Sequence, residues 1–317
     1  MGGLYDGPIV DAHQHFWEPD RNRHPWLRPE ARIPFRYGDY DALKRRYLPD
    51  DYRADADGHR IVRSVYVETE WDPGDPIGET RYASGLAARF GLPSAIVAQA
   101  WLDRADVAEV LAGQAAFPLV RGVRHKPGGP ATPSEVGARR TRMSSPAWRA
   151  GYGLLAGYGL HFDLQTPWWN LGEAAELADD VPGTTIVLNH AGLPAERDGP
   201  SLMAWRDAMA RFARRPNVAV KVSGLGVPGR SWTPEANGWI VRTAIDLFGA
   251  ERAMFGSNFP VDGFCATLTD ILDGMKRIVA PLPPAEQQAF FHDTARRVYR
   301  PEAGGPRSSP ADTADAA

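Results

Sequence analysis

Eight short apolar runs rich in β-branched residues recur along the chain and predict eight β-strands. Most of the runs lack polar alternation, which is typical of strands buried on both faces. Segments of helical periodicity lie between several runs, as where Leu202, Trp205 and Met209 share one face. The predicted strands are Ile9–His13, Arg63–Glu68, Ala95–Trp101, Leu119–Val123, Leu160–Leu164, Thr184–Asn189, Asn217–Val222 and Ala253–Gly256.

This alternation of strands and helices implies a parallel sheet with right-handed crossovers. Eight such units within residues 9–300 favour a single-domain α/β fold, a (β/α)8 TIM-like barrel. Residues 1–8 form a lead, and residues 301–317, which lack any large apolar side chain, are predicted to be a disordered tail. An open doubly wound sheet is the alternative, disfavoured because no glycine-rich phosphate loop follows the first strand.

Polar side chains concentrate where the predicted strands end. His13 and His15 lie two residues apart, so strand alternation places both imidazoles on one face, where they can converge on a metal ion or a substrate atom. Barrel enzymes carry their active sites at this C-terminal rim. For Glu68 and Lys221 a structural ion pair is the alternative interpretation, and for His190 it is a hydrogen-bonded core histidine. Further candidates at the rim are Glu68, Arg124, His125, Lys126, Gln165, Trp168, Trp169, His190, Lys221, Asn258 and Asp262.

Composition excludes several classes of partner. The net charge is -3 with histidine neutral, which predicts no nucleic-acid partner. No apolar run approaches the roughly 18 residues of a membrane helix, so no membrane partner is expected. Cys265 is the sole cysteine, which rules out an intramolecular disulfide and fits a cytoplasmic location. A homo-oligomer is possible.

Five motifs occur in an order that resembles the amidohydrolase superfamily, and within it the amidohydrolase-2 group of L-fuconolactonase, L-rhamnonolactonase and 2-pyrone-4,6-dicarboxylate lactonase. The resemblance implies a (β/α)8 barrel that opens the ring of a sugar-acid or carboxylated lactone by water attack on the ester carbonyl. The motifs are Val-Asp-Ala-His-Gln-His-Phe-Trp (10–17), Gly-Val-Arg-His (122–125), Val-Leu-Asn-His-Ala-Gly (187–192), Val-Lys-Val-Ser-Gly (220–224) and Met-Phe-Gly-Ser-Asn-Phe-Pro-Val (254–261).

The resemblance also implies roles for individual residues. His13, His15 and His190 match the superfamily's histidines and would hold at most one divalent cation, zinc by preference, or would polarise the carbonyl without metal. Asn258 stands where the superfamily usually has aspartate, and an amide cannot act as a carboxylate base. The base is therefore left open among His190, Glu68 and Asp262.

Substrate contacts are expected from Trp17, Arg124, His125, Lys126, Gln165, Trp168, Trp169 and Lys221. Arginine can bind a carboxylate through two hydrogen bonds, which suits an anionic lactone. Two other functions remain as alternatives. One is metal-assisted decarboxylation of an aromatic or unsaturated acid, and the other is a non-catalytic barrel that binds a sugar acid.

Overall fold

Eight parallel strands follow one another around a single sheet in chain order. The computed structural model describes residues 4–301, so residues 302–317 of the predicted tail lie outside the described part. All eight predicted strands are confirmed, each shifted by no more than a few residues. The strands are β1 Ile9–Gln14, β2 Ile61–Val67, β3 Ala95–Gln99, β4 Val120–Arg124, β5 His161–Leu164, β6 Ile186–Leu188, β7 Val218–Val222 and β8 Ala253–Phe255.

The sheet is drawn into a ring by hydrogen bonds just beyond β8. The Asn258 N–H donates to the carbonyl of His13 at 2.8 Å, and the His15 N–H donates to the carbonyl of Phe259 at 2.9 Å. These bonds join the end of β1 to the segment after β8. The predicted (β/α)8 barrel is therefore confirmed, and its closure lies at the residues that the sequence marked as candidates.

Helices occupy the crossovers, as the periodicity predicts. The helix around Trp205 begins at Gly199, where the Asp198 carboxylate accepts the Ser201 N–H, and the next begins after the cap Thr233. Gly249 caps the latter helix at its C-terminus with φ of 76°. The helices are α1 Pro49–Asp55, α2 Gly78–Phe90, α3 Val107–Ala115, α4 Pro146–Gly153, α5 Leu171–Asp180, α6 Gly199–Ala213, α7 Pro234–Phe248, α8 Leu268–Val279, α9 Pro284–Gln288 and α10 Thr294–Tyr299.

Two apolar layers hold the barrel together. Small and β-branched side chains, among them Val10, Ala12 and Val187, fill its interior together with Tyr299 of α10. A larger layer lies between the sheet and the helices. Strands buried on both faces explain why the runs lacked polar alternation. No helix among residues 4–301 is long and apolar enough to cross a membrane.

Candidate active site

Three imidazole rings from distant parts of the chain lie against one another at the C-terminal rim of the barrel. The ring centroids of His13 and His15 are 5.0 Å apart, and those of His13 and His190 are 4.5 Å apart. A Cβ on Gly256 would lie 2.8 Å from the Cβ of His13, so the absence of a side chain there allows the close approach. The predicted meeting of the three rings is confirmed, while their chemical roles stay predictions.

The end of β1 departs from regular strand alternation. Asp11 pairs with Ser64 and Gln14 with Tyr66, so two residues of β1 oppose one of β2. Such a bulge re-aims side chains and is common beside active sites. Ala12 consequently packs in the barrel interior while the next residue, His13, turns toward His190. The sequence pattern did not reveal this bulge.

A hydrogen bond to the main chain fixes the tautomer of His15. Its Nδ1 lies 2.8 Å from the carbonyl oxygen of Val67, and because a carbonyl can only accept, Nδ1 carries the proton. Burial, assisted by the positive charge of Arg124, lowers the pKa of His15 to about 3. The ring is therefore neutral at pH 7, and its Nε2 presents an unshared electron pair.

His190 is held in a strained backbone conformation. Its φ of 54° and ψ of 36° lie in the left-handed region, which is costly for a residue with a side chain and is often found at functional sites. Its Nδ1 lies 2.9 Å from the Ser223 hydroxyl oxygen. Burial, together with the charges of Arg124 and Arg36, keeps its pKa well below the usual range. This imidazole is neutral as well.

Asn258 also has a left-handed backbone, with φ of 55°. Its amide nitrogen donates to Oδ1 of Asp262 at 2.7 Å, and the Tyr37 hydroxyl donates to the same oxygen at 3.1 Å. Burial raises the pKa of Asp262, and Arg36 opposes that rise. Because the amide nitrogen is committed to Asp262, the amide oxygen of Asn258 remains available as an acceptor for another donor at the site cavity. Asp262 thus orients Asn258.

Arg124 and Glu68 form an ion pair whose side chains are each only 3% exposed. The guanidinium Nε donates to Glu68 Oε1 at 2.5 Å, and Nη1 donates to Gln165 Oε1 at 2.8 Å. The other carboxylate oxygen of Glu68 accepts the Glu70 N–H at 2.8 Å. Both oxygens of Glu68 are therefore engaged, and Arg124 brings a fixed positive charge to the rim.

A cavity of about 530 Å³, here termed the site cavity, opens over these groups. Loop residues Trp26, Phe35 and Arg36 complete its wall. A second cavity of about 540 Å³, the side cavity, adjoins it. The predicted residues that line the site cavity are His15, Trp17, Arg124, Lys126, Gln165, Trp169, His190 and Asn258.

The other predicted residues lie elsewhere. Glu68 and His125 line the side cavity together with Arg124 and Lys126. Trp168 packs against the apolar layer between sheet and helices, unlike its neighbour Trp169. His13 is fully buried beneath the site cavity.

Lys221 is an internal cation rather than a group facing the cavity. Its Nζ lies 2.5 Å from Oδ2 of Asp163, and both side chains are 0% exposed. The Tyr299 hydroxyl and the Asn189 amide donate to the same carboxylate. Burial lowers the pKa of Lys221 to about 8. Burial alone would raise the pKa of Asp163, but Lys221 and His161 bring it below its usual value. The placement matches the structural ion pair considered for Lys221.

Sequence reasoning assigned no role to two residues that shape the site, Asp11 and Arg36. Asp11 accepts the N–H groups of His13 and Ser257 at 3.1 and 2.8 Å, which ties β1 to the segment after β8. A carboxylate inside an apolar strand was a signal that could have marked it. Arg36, which donates to the carbonyl of Gly224 at 3.1 Å, gave no comparable signal.

The fit of the imidazole cluster to a metal ion depends on which ring nitrogens are free and on how many ligands converge. Both ring nitrogens of His13 are buried without a hydrogen-bond partner among the described residues, which leaves them able to bind an ion or a water molecule. Within residues 4–301, however, no group of three or more His, Cys, Asp or Glu side chains is arranged to hold a metal. The described arrangement of the rings therefore supplies no three-ligand centre, the metal role of His13, His15 and His190 stays a prediction, and no step below passes through a metal.

Comparison with known proteins extends over almost the whole chain. The model of a family described as amidohydrolase matches residues 10–300. An uncharacterized protein of Sinorhizobium fredii, y4mH, is 39% identical over 303 residues, which cover 94% of this chain and 100% of that protein. An L-fucono-1,5-lactonase of Burkholderia multivorans is 27% identical over 302 residues, which cover 92% of this chain and 95% of that enzyme.

The fold has solved counterparts as well. The crystal structure of an amidohydrolase from Burkholderia multivorans with bound zinc superposes with a TM-score of 0.75 at 25% identity. The match covers 93% of this chain and 100% of that one.

Proposed function

Because this chain belongs to the amidohydrolase family, we propose that it is a lactonase in which water attacks the ester carbonyl within the site cavity. The similarity to L-fucono-1,5-lactonase over nearly the full length of both chains supports this reaction. The observation that carries the proposal is the fixed tautomer of His15, whose unprotonated Nε2 belongs to a residue lining that cavity.

In this mechanism His15 is the general base. A water molecule between His15 Nε2 and the amide oxygen of Asn258 can donate one hydrogen to each, so both protons of the nucleophile have acceptors. Asp262 supports this arrangement by holding the amide nitrogen of Asn258 at 2.7 Å. Asn258 orients the water and His15 takes its proton. Together they fill the role that an aspartate at position 258 would have.

Stabilisation of the developing oxyanion comes from His190 and Arg124. If the Ser223 hydroxyl donates to Nδ1, the His190 proton resides on Nε2, and His190 lines the site cavity. The guanidinium of Arg124 adds a positive charge with little exposure to water. Preorganised donors of this kind act most strongly in a partly desolvated site.

His15 takes the proton from the attacking water and later returns it to the leaving group. As the water oxygen bonds to the carbonyl carbon, its proton passes to Nε2. When the tetrahedral intermediate collapses, the bond to the ring oxygen breaks and the imidazolium returns that proton to the leaving alkoxide. The product is an open-chain hydroxy acid, which ionises and releases one proton to solvent.

The walls of the site cavity favour a sugar-acid or carboxylated lactone. Trp17 and Trp169 offer flat apolar faces to the C–H groups of a hydroxylated ring. Lys126 and Gln165 supply a positive charge and an amide for hydroxyl or carboxylate groups, beside Arg124.

The test is turnover of defined lactones by the purified protein, with and without a chelator. Aldonolactones, including L-fucono-1,5-lactone, and 2-pyrone-4,6-dicarboxylate are assayed by proton release with a pH indicator. We expect at least one to be opened well above its spontaneous rate. A well-folded sample that opens none would overturn the proposal. Calorimetric binding of sugar acids without turnover would favour the binding-only alternative, and carbon dioxide release from a benzoate-like acid would favour the decarboxylase.

Replacing Gly224 by alanine is expected to lower lactonase kcat/KM by about tenfold or more. A Cβ at this position would lie 2.4 Å from His190 Nδ1 and so displace the ring from Ser223. Gly229→Ala is the matched control, because Gly229 also has a left-handed backbone (φ +70°) but nothing lies within 4 Å of its added Cβ. Equal activity of the two variants would show that the position of His190 is not needed.

A further inference from the structure

The side cavity extends the site toward the third strand of the barrel. Gln99 at the end of β3 lines it, together with Glu68 and His125 from the ends of the neighbouring strands. The two cavities share part of their walls, including Trp26, Arg124 and Lys126. Each falls within the range of roughly 300–1,000 Å³ typical of small-ligand sites, so together they exceed the needs of a single sugar ring.

One amide beside the side cavity has a hydrogen-bonding capacity that the described residues do not satisfy. Gln99 is only 7% exposed, and its buried Oε1 lacks a hydrogen-bond partner among residues 4–301. Buried polar atoms normally find a partner, so the Gln99 amide favours a polar ligand or ordered water at this end of the cavity.

His125 adds a donor of defined tautomer. Its Nδ1 accepts from the Leu102 N–H and from the Trp148 indole N–H, both at 3.0 Å. The proton of the neutral ring must therefore reside on Nε2. Burial lowers the pKa of His125, which keeps the ring in this neutral form.

Aromatic faces make up much of the remaining wall. Trp26, Trp71 and Trp101 all line the side cavity, and Trp101 does not line the site cavity. Flat indoles combined with amide and imidazole groups suit a ring that has apolar C–H faces and polar hydroxyl edges.

The boundary between the cavities is a weak contact. Lys126 and Glu70 line both cavities, and their Nζ and Oε1 atoms are 2.7 Å apart. Their side chains are 38% and 48% exposed, and exposed pairs of this kind contribute at most about 1 kcal/mol. A linked substrate can displace this pair at little cost and reach both cavities.

From these observations we infer that the side cavity is a subsite for a second sugar ring joined to the lactone. The inferred substrate is an aldonolactone of disaccharide size. Its lactone ring occupies the site cavity, and its glycosyl ring contacts Trp101, Gln99 and His125 in the side cavity. The inference rests on the proposed lactonase function for its account of turnover.

The test compares D-glucono-1,5-lactone with lactobionic acid 1,5-lactone, which carries a galactosyl group. We expect higher kcat/KM for the disaccharide lactone. Trp101→Ala should lower that value about tenfold while changing the monosaccharide value less than twofold, since one stacked ring is lost. Gln99→Leu should show the same selectivity and serves if Trp101→Ala folds poorly. Trp239→Ala, which removes an exposed tryptophan of α7, is the matched control and should leave both values unchanged.

Equal losses for both lactones, or no loss for either, would overturn the subsite. Binding of open-chain lactobionate, measured by calorimetry, separates this inference from the proposed function because it requires no turnover. We expect wild-type protein to bind lactobionate about tenfold more tightly than Trp101→Ala does. If wild-type protein binds lactobionate more tightly than Trp101→Ala does but opens no lactone, the subsite is retained and the lactonase function is rejected. If the protein opens lactones but wild type and Trp101→Ala bind lactobionate equally, the lactonase function is retained and the subsite is rejected.

Discussion

Replacing His15 by asparagine is expected to lower kcat for lactone opening by about 10²- to 10⁴-fold, with a much smaller change in KM. General bases contribute rate enhancements of this size. The Val67 carbonyl fixes the His15 proton on Nδ1, so the variant loses the unprotonated Nε2 that accepts the proton of water. Steady-state kinetics on the best lactone of the panel, corrected for spontaneous hydrolysis, measures the effect.

The matched control is His292→Asn, which changes a histidine between α9 and α10 whose side chain hydrogen-bonds Gln288 and Asp293, far from the site cavity lining. Its kcat should stay within about twofold of wild type. The pH profile provides a second readout. Because the pKa of His15 is lowered to about 3, the base stays unprotonated as the pH falls from 8 to about 5, and kcat/KM should hold over that range. A His15→Asn enzyme with near wild-type kcat would exclude this residue as the base.

Replacing Lys221 by methionine is expected to destabilise the barrel by about 3–5 kcal/mol, because it leaves the carboxylate of Asp163 buried without its cation. Methionine retains much of the volume, so the loss reports the charge rather than a cavity. The ammonium and carboxylate are 2.5 Å apart and fully buried, and neither can gain water in compensation. Urea-induced unfolding followed by circular dichroism measures the change.

Two controls define the origin of the effect. Lys126→Met breaks an exposed ion pair and should cost less than about 1 kcal/mol. Adding Asp163→Asn to Lys221→Met removes the unpaired charge and should recover a substantial part of the lost stability. A single Lys221→Met variant as stable as Lys126→Met would show that Asp163 is compensated by Tyr299, Asn189 and His161 alone.

The barrel could be predicted from the sequence because its strands are buried on both faces. That burial requires apolar, β-branched runs, and runs such as Thr184–Asn189 and Asn217–Val222 stand out by composition alone. The intervening helical periodicity, as at Trp205 and Met209, then fixes the parallel topology. The sequence likewise indicated that the rings of His13, His15 and His190 would meet, since strand ends of a parallel barrel share one rim.

Tertiary contacts decided the protonation state of each candidate group and which of these groups are hydrogen-bonded to other side chains. Whether His15 accepts or donates at Nε2 depends on Val67, which lies 52 residues away on β2. Asp262 was a candidate base by its position, yet its Oδ1 is taken up by Asn258 and Tyr37. Lys221 ends a strand like the other candidates, but its side chain points to Asp163.

The sequence by itself therefore determined the architecture and the rim on which the polar groups gather, because hydrophobic burial is encoded in local periodicity. The tertiary structure decided which of those groups face the cavity, which are neutral and which are bound to one another. The physical reason is that burial and hydrogen bonding set each protonation state, and both depend on which residues meet in space, as Val67 meets His15 and Asp163 meets Lys221, which no local pattern identifies.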